Sequence, residues 1–345
     1  MNARIKATHP PLTVGVIGAG RIGRLHAENL AHRVPDARLT AVADIRAEAA
    51  AECAEELGIP AHYGDPRRVI DDPDIQAIAL CSSTDTHAAL IEEAAGAGKH
   101  IFCEKPIDFD LGRIDRALAC VERAGVKLQV GFNRRFDHNF RRIKEGVDAG
   151  RIGKPQILRV TSRDPAPPPM EYVKASGGIF LDMTIHDFDM ARYLMGDVEE
   201  LYVMGAVLVD PAIGKAGDLD TAVVSLRFAG GALGTIDNSR KAVYGYDQRV
   251  EVFGSEGMLA AGNDTPSTVR LSTARAVEED LPLFFFLERY TESYVDELEA
   301  FVRCVLEDEA PPVTGRDGRT AVVMGKAAEL SVRERRPVRL EEIGA

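Results

Sequence analysis

Two short stretches carry side chains able to take a proton and to hold a negative charge. In the first, Ile101-Phe102-Cys103-Glu104-Lys105-Pro106 sets a charged pair at the end of an apolar run. An ammonium there stabilises a developing alkoxide in a partly dry pocket, and Glu104 beside it can fix its position. The second stretch, Gly177-Gly178-Ile179-Phe180-Leu181-Asp182-Met183-Thr184-Ile185-His186, opens on glycines and continues with helical spacing. A separation of four predicts Asp182 and His186 on one helix face, next to an apolar stripe of Leu181, Ile185, Phe188 and Met195. Histidine is the natural base for a hydroxyl proton near neutral pH, and a carboxylate within reach orients its ring or binds substrate hydroxyls. The plainer readings make Lys105 a surface charge at a strand end and Asp182 the cap of a solvated helix face. A metal held by Asp182, His186 and Asp187 or Asp189 lacks any separate cluster at ligand spacing to complete it, so no metal is expected.

A dinucleotide site precedes both stretches. Val14-Gly15-Val16-Ile17 runs directly into Gly18-Ala19-Gly20-Arg21-Ile22-Gly23, and a helical pattern with Leu25, Asn29 and Leu30 follows. Gly18 permits the tight turn, Gly20 lets backbone N–H groups approach a pyrophosphate, and Gly23 lets the helix pack on the strand, its N-terminal dipole facing the anion. Asp44 ends the second apolar strand about 20 residues on, where a carboxylate accepts hydrogen bonds from both adenosine ribose hydroxyls. It favours NAD over NADP, although Arg46 would partly accommodate a 2′-phosphate; read blandly, Asp44 is an ordinary turn residue. Ser82-Ser83-Thr84-Asp85-Thr86-His87 follows another apolar strand, at the edge where open α/β sheets bind ligands. Its hydroxyls suit phosphate or ribose, while Thr84 or Asp85 equally suits the cap of the next helix.

These groups need elements to position them, and the first 130 or so residues alternate β-branched runs with alanine-rich helical patterns. Strands are expected at Leu12 to Ile17, Leu39 to Ala43, Ile75 to Cys81, His100 to Cys103 and Lys127 to Gly131. Helices are expected at Arg46 to Leu57, Thr86 to Ala95 and Leu111 to Ala124, with Gly58, Gly98 and Gly125 where they stop. That rhythm is an α/β, doubly wound parallel sheet over residues 1–131. Residues 132–345 read as an α+β domain with an open, largely antiparallel sheet. Its helices are expected at His138 to Ala149, Ile179 to Leu194, Tyr290 to Leu306 and Asp317 to Arg333. Its alternating strands are expected at Gln156 to Ser162, Leu201 to Val209, Thr221 to Phe228, Ala232 to Ser239 and Gln248 to Phe253.

Composition narrows the partners. A chain of 345 residues exceeds what one hydrophobic core usually serves, and 45% hydrophobic residues suit a globular protein. A formal charge of -12 repels nucleic acid and anionic lipid and leaves small neutral or cationic partners. The five cysteines (Cys53, Cys81, Cys103, Cys120 and Cys304) are odd in number, widely spaced and free of CxxC pairs, as expected of reduced thiols in a cytoplasmic protein. The segment Met1 to Pro11 carries Arg4 and Lys6 without an apolar stretch of signal-peptide length, so neither secretion nor membrane spanning is expected.

Taken in order, the Gly18 to Gly23 turn, Cys103-Glu104-Lys105-Pro106, Gly131-Phe132-Asn133-Arg134-Arg135-Phe136-Asp137, and Asp182 with His186 resemble the glucose-fructose oxidoreductase, inositol dehydrogenase and rhizopine-catabolism protein family, along nearly the full chain. Gly131 to Asp137, Ser176 to Met190 and Tyr244-Gly245-Tyr246-Asp247 look most like the members that oxidise myo-inositol to 2-keto-myo-inositol. The resemblance implies Lys105, Asp182 and His186 as the catalytic trio, with Asn133, Arg134, Asp164 and Tyr244 around a polyol substrate. It implies NAD as cofactor, contacted by Gly18, Gly20, Arg21, Ile22, Gly23, Asp44, Ser82, Thr84, His87, Glu104 and Lys105, and it implies a homotetramer. The sequence departs from many relatives in having Gly177-Gly178-Ile179 in place of a third glycine, and Thr184 where glycine is common. Rival readings are another cyclitol or pyranose as substrate (scyllo-inositol, chiro-inositol, glucose), a glycosidase that recycles bound NAD, or a non-catalytic dinucleotide sensor, which would lack the trio.

Overall fold

The structure is a computed structural model and describes residues 9–344, so Arg4 and Lys6 lie outside the described residues. Short runs buried on both faces need helices above and below them, which only crossover connections supply. The first 131 residues meet that need with β1 (Leu12–Ile17), α1 (Arg21–His32), β2 (Ala37–Ala43), α2 (Ala47–Leu57), β3 (Ala61–Tyr63), α3 (Arg67–Ile70), β4 (Ala77–Leu80), α4 (Thr84–Gly96), β5 (His100–Glu104), α5 (Leu111–Ala124) and β6 (Leu128–Gly131). All the pairings are parallel, in the order β3-β2-β1-β4-β5-β6. Strand order therefore reverses between β1 and β4, whose carboxyl ends lead into the glycine turn and Ser82. Gly58 and Gly125 close α2 and α5 in the left-handed conformation, φ 65° and 66°, as their positions suggested. The three-residue β3 was not expected, because Ala61-His62-Tyr63 is too short to show a period.

Beyond β6 come α6 (His138–Asp148), β7 (Pro155–Arg163), α7 (Met170–Ala175), α8 (Gly178–Asp182), α9 (Thr184–Met195), β8 (Val198–Ala206), α10 (Pro211–Lys215), β9 (Thr221–Phe228), β10 (Leu233–Ser239), β11 (Asp247–Gly254) and β12 (Gly257–Ala261). A small hairpin, β13 (Arg270–Ser272) and β14 (Val277–Glu279), precedes α11 (Phe286–Arg289), α12 (Thr291–Leu306), α13 (Gly315–Glu334) and β15 (Val338–Arg339). The seven-stranded sheet runs β12-β11-β7-β10-β9-β8-β15, antiparallel except where β7 meets β10. Its strands alternate as a half-buried sheet must: Leu158, Val160, Val224 and Ile236 are buried, while Ile157, Val223 and Leu233 are exposed. Helix α9 packs on β7 and β10.

Two departures from the sequence reading bear on function. The chain divides into two compact units, one reaching to Asn133 and also containing Tyr294–Arg319, the other holding Arg134–Ser293 and the chain from Thr320 onward. The pattern after residue 131 gave no sign of that return; its cause is that Leu298, Phe301, Val302 and Cys304 join Val14, Val16, Ala79 and Phe102 in one buried cluster. The helix expected from Ile179 to Leu194 is broken at Met183 (φ −96°, ψ −60°) into α8 and α9. Asp182 ends one helix and His186 lies in the first turn of the next, so their spacing of four is not that of a single helix face. All five cysteines are free thiols, and among the described residues no helix is long and apolar enough to cross a membrane.

Candidate active site

The turn after β1 is built so that only glycine fits two of its positions. At Gly18 φ is +103°, and a Cβ would stand 2.5 Å from the Cys81 carbonyl; at Gly23 it would stand 1.8 Å from the Gly18 oxygen. A Cβ on Gly20 would meet nothing within 4 Å, so the turn is open on that side. Gly20 is the N-cap of α1 and offers no side-chain cap, so no capping side chain stands between the first turn of the helix, Arg21, Ile22 and Gly23, and an anion. Asp44 accepts the Ala19 N–H at 2.8 Å and the Arg46 N–H at 2.9 Å, one on each carboxylate oxygen. Each oxygen keeps a further acceptor site, so the carboxylate both braces the glycine turn and fits a ribose diol. These residues fit a dinucleotide.

At the end of β4 the Ser82 and Thr86 hydroxyls share a hydrogen bond of 2.7 Å. The helix cap there is Ser83, which makes no side-chain capping bond, so neither Thr84 nor Asp85 caps α4, and Thr84 stands half-buried as its first residue. His87 departs from its expected place among the cofactor contacts. Its ring is buried, with Nδ1 2.9 Å from the Pro106 carbonyl and Nε2 3.0 Å from the Ser82 carbonyl, and burial lowers its pKa. Both ring nitrogens face backbone carbonyls and the neutral ring donates to one of them, so the ring is turned into the protein and not toward a ligand. Glu104 is likewise turned inward: one oxygen faces His26 Nε2 at 2.7 Å, and the other accepts the backbone N–H of Lys105 at 3.2 Å. Lys105 follows it, half-buried.

In the second unit the two glycines that open α8 have φ of +82° and +80°, and a Cβ on Gly178 would meet Asp218 Oδ1 at 2.9 Å. That room lets Asp218 accept the Ile179 N–H at 3.0 Å. Asp182 is held at both oxygens, by the Tyr172 hydroxyl at 2.8 Å and by Arg240 Nη1 at 3.2 Å. The buried Arg240 guanidinium also lies 3.6 Å from Asp218. Asp164 joins this group electrostatically: crowding by the protein and the Asp182 charge push its carboxyl up to about 7, against the pull of Arg240 and Arg134.

His186 stands half-buried on α9, and its sequence neighbour Asp187 anchors the helix. Asp187 is fully buried and accepts from Arg134 Nη1 at 2.6 Å and Asn238 Nδ2 at 2.8 Å. Arg135 pairs with Asp189 at 2.8 Å, so two consecutive arginines grip two acids of one helix. Both acids weighed above as metal ligands are thus already neutralised. Arg134 reaches the Tyr246 hydroxyl as well, at 3.3 Å, and is itself buried; its charge is occupied internally, and its part is to fix α9. Asn133, expected beside it at the substrate, is buried at the start of a short 3-10 turn. Tyr244 stands apart from this group. Its hydroxyl donates to Asp247 at 2.7 Å and accepts from Arg163 at 3.2 Å, and Arg163 lies on the exposed side of β7, away from Ser162 and Asn238. Of the two tyrosines in the Tyr244 to Asp247 segment, Tyr246 is the one that meets the Arg134 network.

Sequence reasoning missed Asn238, Ser162, Tyr246, Arg240 and Tyr172. Asn238 and Ser162 were findable, because each is a polar residue at an inward position of an alternating strand, after Ile236 and Val160. Asn238 also accepts the Thr184 hydroxyl at 2.7 Å, which gives the unusual threonine a partner. Arg240 and Tyr172 follow no period and gave no signal.

Two family models match, one described as an oxidoreductase family with an NAD-binding Rossmann fold over residues 12–132, the other as a GFO/IDH/MocA C-terminal domain over residues 140–260. A protein of Thermotoga maritima named myo-inositol 2-dehydrogenase is 54% identical over 96% of this chain and 99% of its own length. An inositol 2-dehydrogenase of Rhizobium meliloti is 47% identical over 94% and 98%. The crystal structure of scyllo-inositol dehydrogenase from Lactobacillus casei with bound NAD(H) and scyllo-inositol superposes with a TM-score of 0.90 at 29% identity, covering 96% of this chain and 99% of that one. With a match to each half and such identity along nearly its whole length, the chain belongs to the GFO/IDH/MocA family of NAD-binding oxidoreductases.

Proposed function

We propose that the chain oxidises myo-inositol to 2-keto-myo-inositol with NAD. The observation that carries the substrate is the 54% identity, over nearly the whole of both chains, to a protein named for that reaction. NAD, held by the Gly18 to Gly23 turn, Asp44, Ser82 and Thr84, supplies the two-electron acceptor. His186 takes the proton of the reacting hydroxyl. The Lys105 ammonium holds the oxygen as negative charge develops on it. Asp182, fixed by Tyr172 and Arg240, orients His186 or a neighbouring hydroxyl. Asp164, near half-protonated at neutral pH, is suited to donate to one ring hydroxyl or accept from another, and Asn133 is proposed as a further substrate contact.

The other cyclitol reading is favoured by the likeness to proteins named for scyllo-inositol. A panel of cyclitols and pyranoses, each assayed for NADH and NADPH formation, separates the two. Turnover of myo-inositol with NAD at a kcat/KM about tenfold or more above every other pairing is expected, whereas preference for scyllo-inositol or glucose refutes the assignment. Net accumulation of NADH excludes a cofactor-recycling glycosidase. We further propose a cytoplasmic homotetramer: the free thiols suit a reducing compartment, and Ile157, Met204, Val223, Leu233 and Phe253 are exposed apolar residues on the seven-stranded sheet. Light scattering tests the assembly, with the mass of four chains expected.

A further inference from the structure

Beside the turn that carries Lys105 lies a buried group of side chains with no part in the proposed reaction. It consists of His26 from α1, Glu104 at the end of β5 and Glu297 from α12, which are 0%, 9% and 0% exposed. One donor atom from each lies within 4.8 Å of the others. The His26 Nε2 to Glu104 Oε1 separation of 2.7 Å is a hydrogen bond, shorter than the roughly 3.3 Å between two ligands of one tetrahedral zinc, so a proton joins this pair and not an ion. The walls are apolar: Phe102 and Tyr294 meet the His26 ring edge-on at 5.1 and 5.7 Å. On the other side, a Cβ on Gly131 would stand 3.2 Å from Glu104 Cδ, so glycine is what lets the carboxylate lie there. Its second oxygen accepts the Lys105 N–H at 3.2 Å.

We infer that His26 is the positioning residue of the Lys105 turn: it holds Glu104, and Glu104 holds the Lys105 backbone from which the ammonium projects. The inference rests on the reading of Lys105 as catalytic.

The surroundings of Glu104 explain why His26 is needed. The groups that face it are His26, Glu297 from α12, His87 from α4, Cys81 after β4, Cys103 on β5 and the adjoining Lys105. Burial and the Glu104 charge push the Glu297 carboxyl well up, which favours its neutral form, and neither of its oxygens makes a hydrogen bond among the described residues. Burial also raises the Cys81 and Cys103 thiols and lowers His87, which favours the uncharged form of all three. His26 therefore supplies the side-chain hydrogen bond that answers a buried carboxylate. Without it, one oxygen of the buried Glu104 carboxyl loses its side-chain donor, and nothing on that side holds the other oxygen against the Lys105 N–H.

The test uses the full chain as His26→Leu, His26→Gln and Glu104→Gln, with two readouts: protection of the Lys105 amide from hydrogen exchange, and kcat with NAD and myo-inositol. In H26L, Lys105 protection and kcat should each fall on the order of tenfold, with KM for NAD within about twofold and the amides of Ile101 to Cys103 unchanged. H26Q, whose amide donates to the same oxygen, should retain most of both, while E104Q, with one acceptor oxygen left for two donors, should show both losses. The two glutamine variants keep the side chain polar and similar in size and decide the matter if H26L does not fold. Parental Lys105 protection in H26L or E104Q overturns the inference, as does a kcat loss that is equal in H26L and H26Q. The exchange readout needs no turnover, so an inactive parent chain refutes the proposed reaction and leaves the positioning role to be decided by exchange alone.

Discussion

Replacing Asp164 by asparagine should remove a pH dependence from the stability of the chain. The carboxyl has a folded value of about 7 against an ordinary 3.8, because the protein crowds it and Asp182 adds a like charge. Between those values the folded chain keeps a proton that the unfolded chain has released, so stability falls as the pH rises through the window. At 1.36 kcal/mol per unit, the cost grows from about 2 kcal/mol near pH 5 to about 4 kcal/mol near pH 8, an increment of about 2–3 kcal/mol. An amide does not ionise, so the variant lacks that increment. Urea unfolding of parent and D164N at the two pH values, followed by circular dichroism, isolates it as a difference of differences in which titrating groups distant from Asp164 cancel. The variant should gain about 2–3 kcal/mol on the parent between about pH 5 and pH 8. If both chains lose the same stability, Asp164 titrates like an exposed carboxylate, and the case for burial and the Asp182 charge outweighing Arg240 and Arg134 is wrong.

Other perturbations test the remaining parts. K105A and H186A should each lower kcat by about 10²–10⁴-fold while the Kd for NAD, read by fluorescence titration, stays within about threefold; near-parental turnover would remove either residue from the proposed mechanism. R134M leaves the buried Asp187 with Asn238 as its remaining strong donor, and should cost about 3–5 kcal/mol, seen as a lower Tm by calorimetry. A parental Tm would mean that the pair does not anchor α9. G23A places a methyl 1.8 Å from the Gly18 oxygen, so the turn must shift and NAD affinity should fall by about tenfold or more in isothermal titration. Unchanged affinity would show that the turn is not where the cofactor is held.

The first unit was legible because its signals are local. Leu12 to Ile17 and Leu111 to Ala124 matched to the residue, since a fully buried strand and a helix closed by Gly125 each announce themselves within a few positions. The return of Tyr294–Arg319 to that unit was not legible, because an amphipathic helix shows that it has an apolar face and not which core receives it. The same limit applies to the candidate site. The reactive residue types were visible in Lys105, Asp182 and His186, but the partners that fix Asp182, Tyr172 and Arg240, lie 10 and 58 residues away, one on the six-residue α7 and one just past β10, where the chain is too short or too irregular to show a period. The break at Met183 was hidden too, because apolar spacing continues across it, from Leu181 to Ile185 and Phe188.

The misplaced residues have a common cause, which is that neighbours in sequence at these motifs do opposite work. Consecutive side chains on a strand point to opposite faces, and consecutive helical side chains diverge by about 100°. A motif that brings one reactive group to a ligand therefore turns the next one into the protein. Glu104 is buried against His26 while Lys105 emerges, and Asp187 is buried against Arg134 while His186 emerges. Reading Glu104 as a cofactor contact and Arg134 as a substrate contact followed from treating each motif as a set of ligand residues. The geometry instead makes the charged neighbour an anchor, and each anchor is answered by buried partners from other elements. A buried charge that loses its partner costs several kcal/mol, far more than an exposed pair contributes, so these anchors hold the reactive residues more rigidly than surface ion pairs would. It follows that replacing an anchor's partner, His26 or Arg134, should disturb the chemistry without touching any group that meets the substrate.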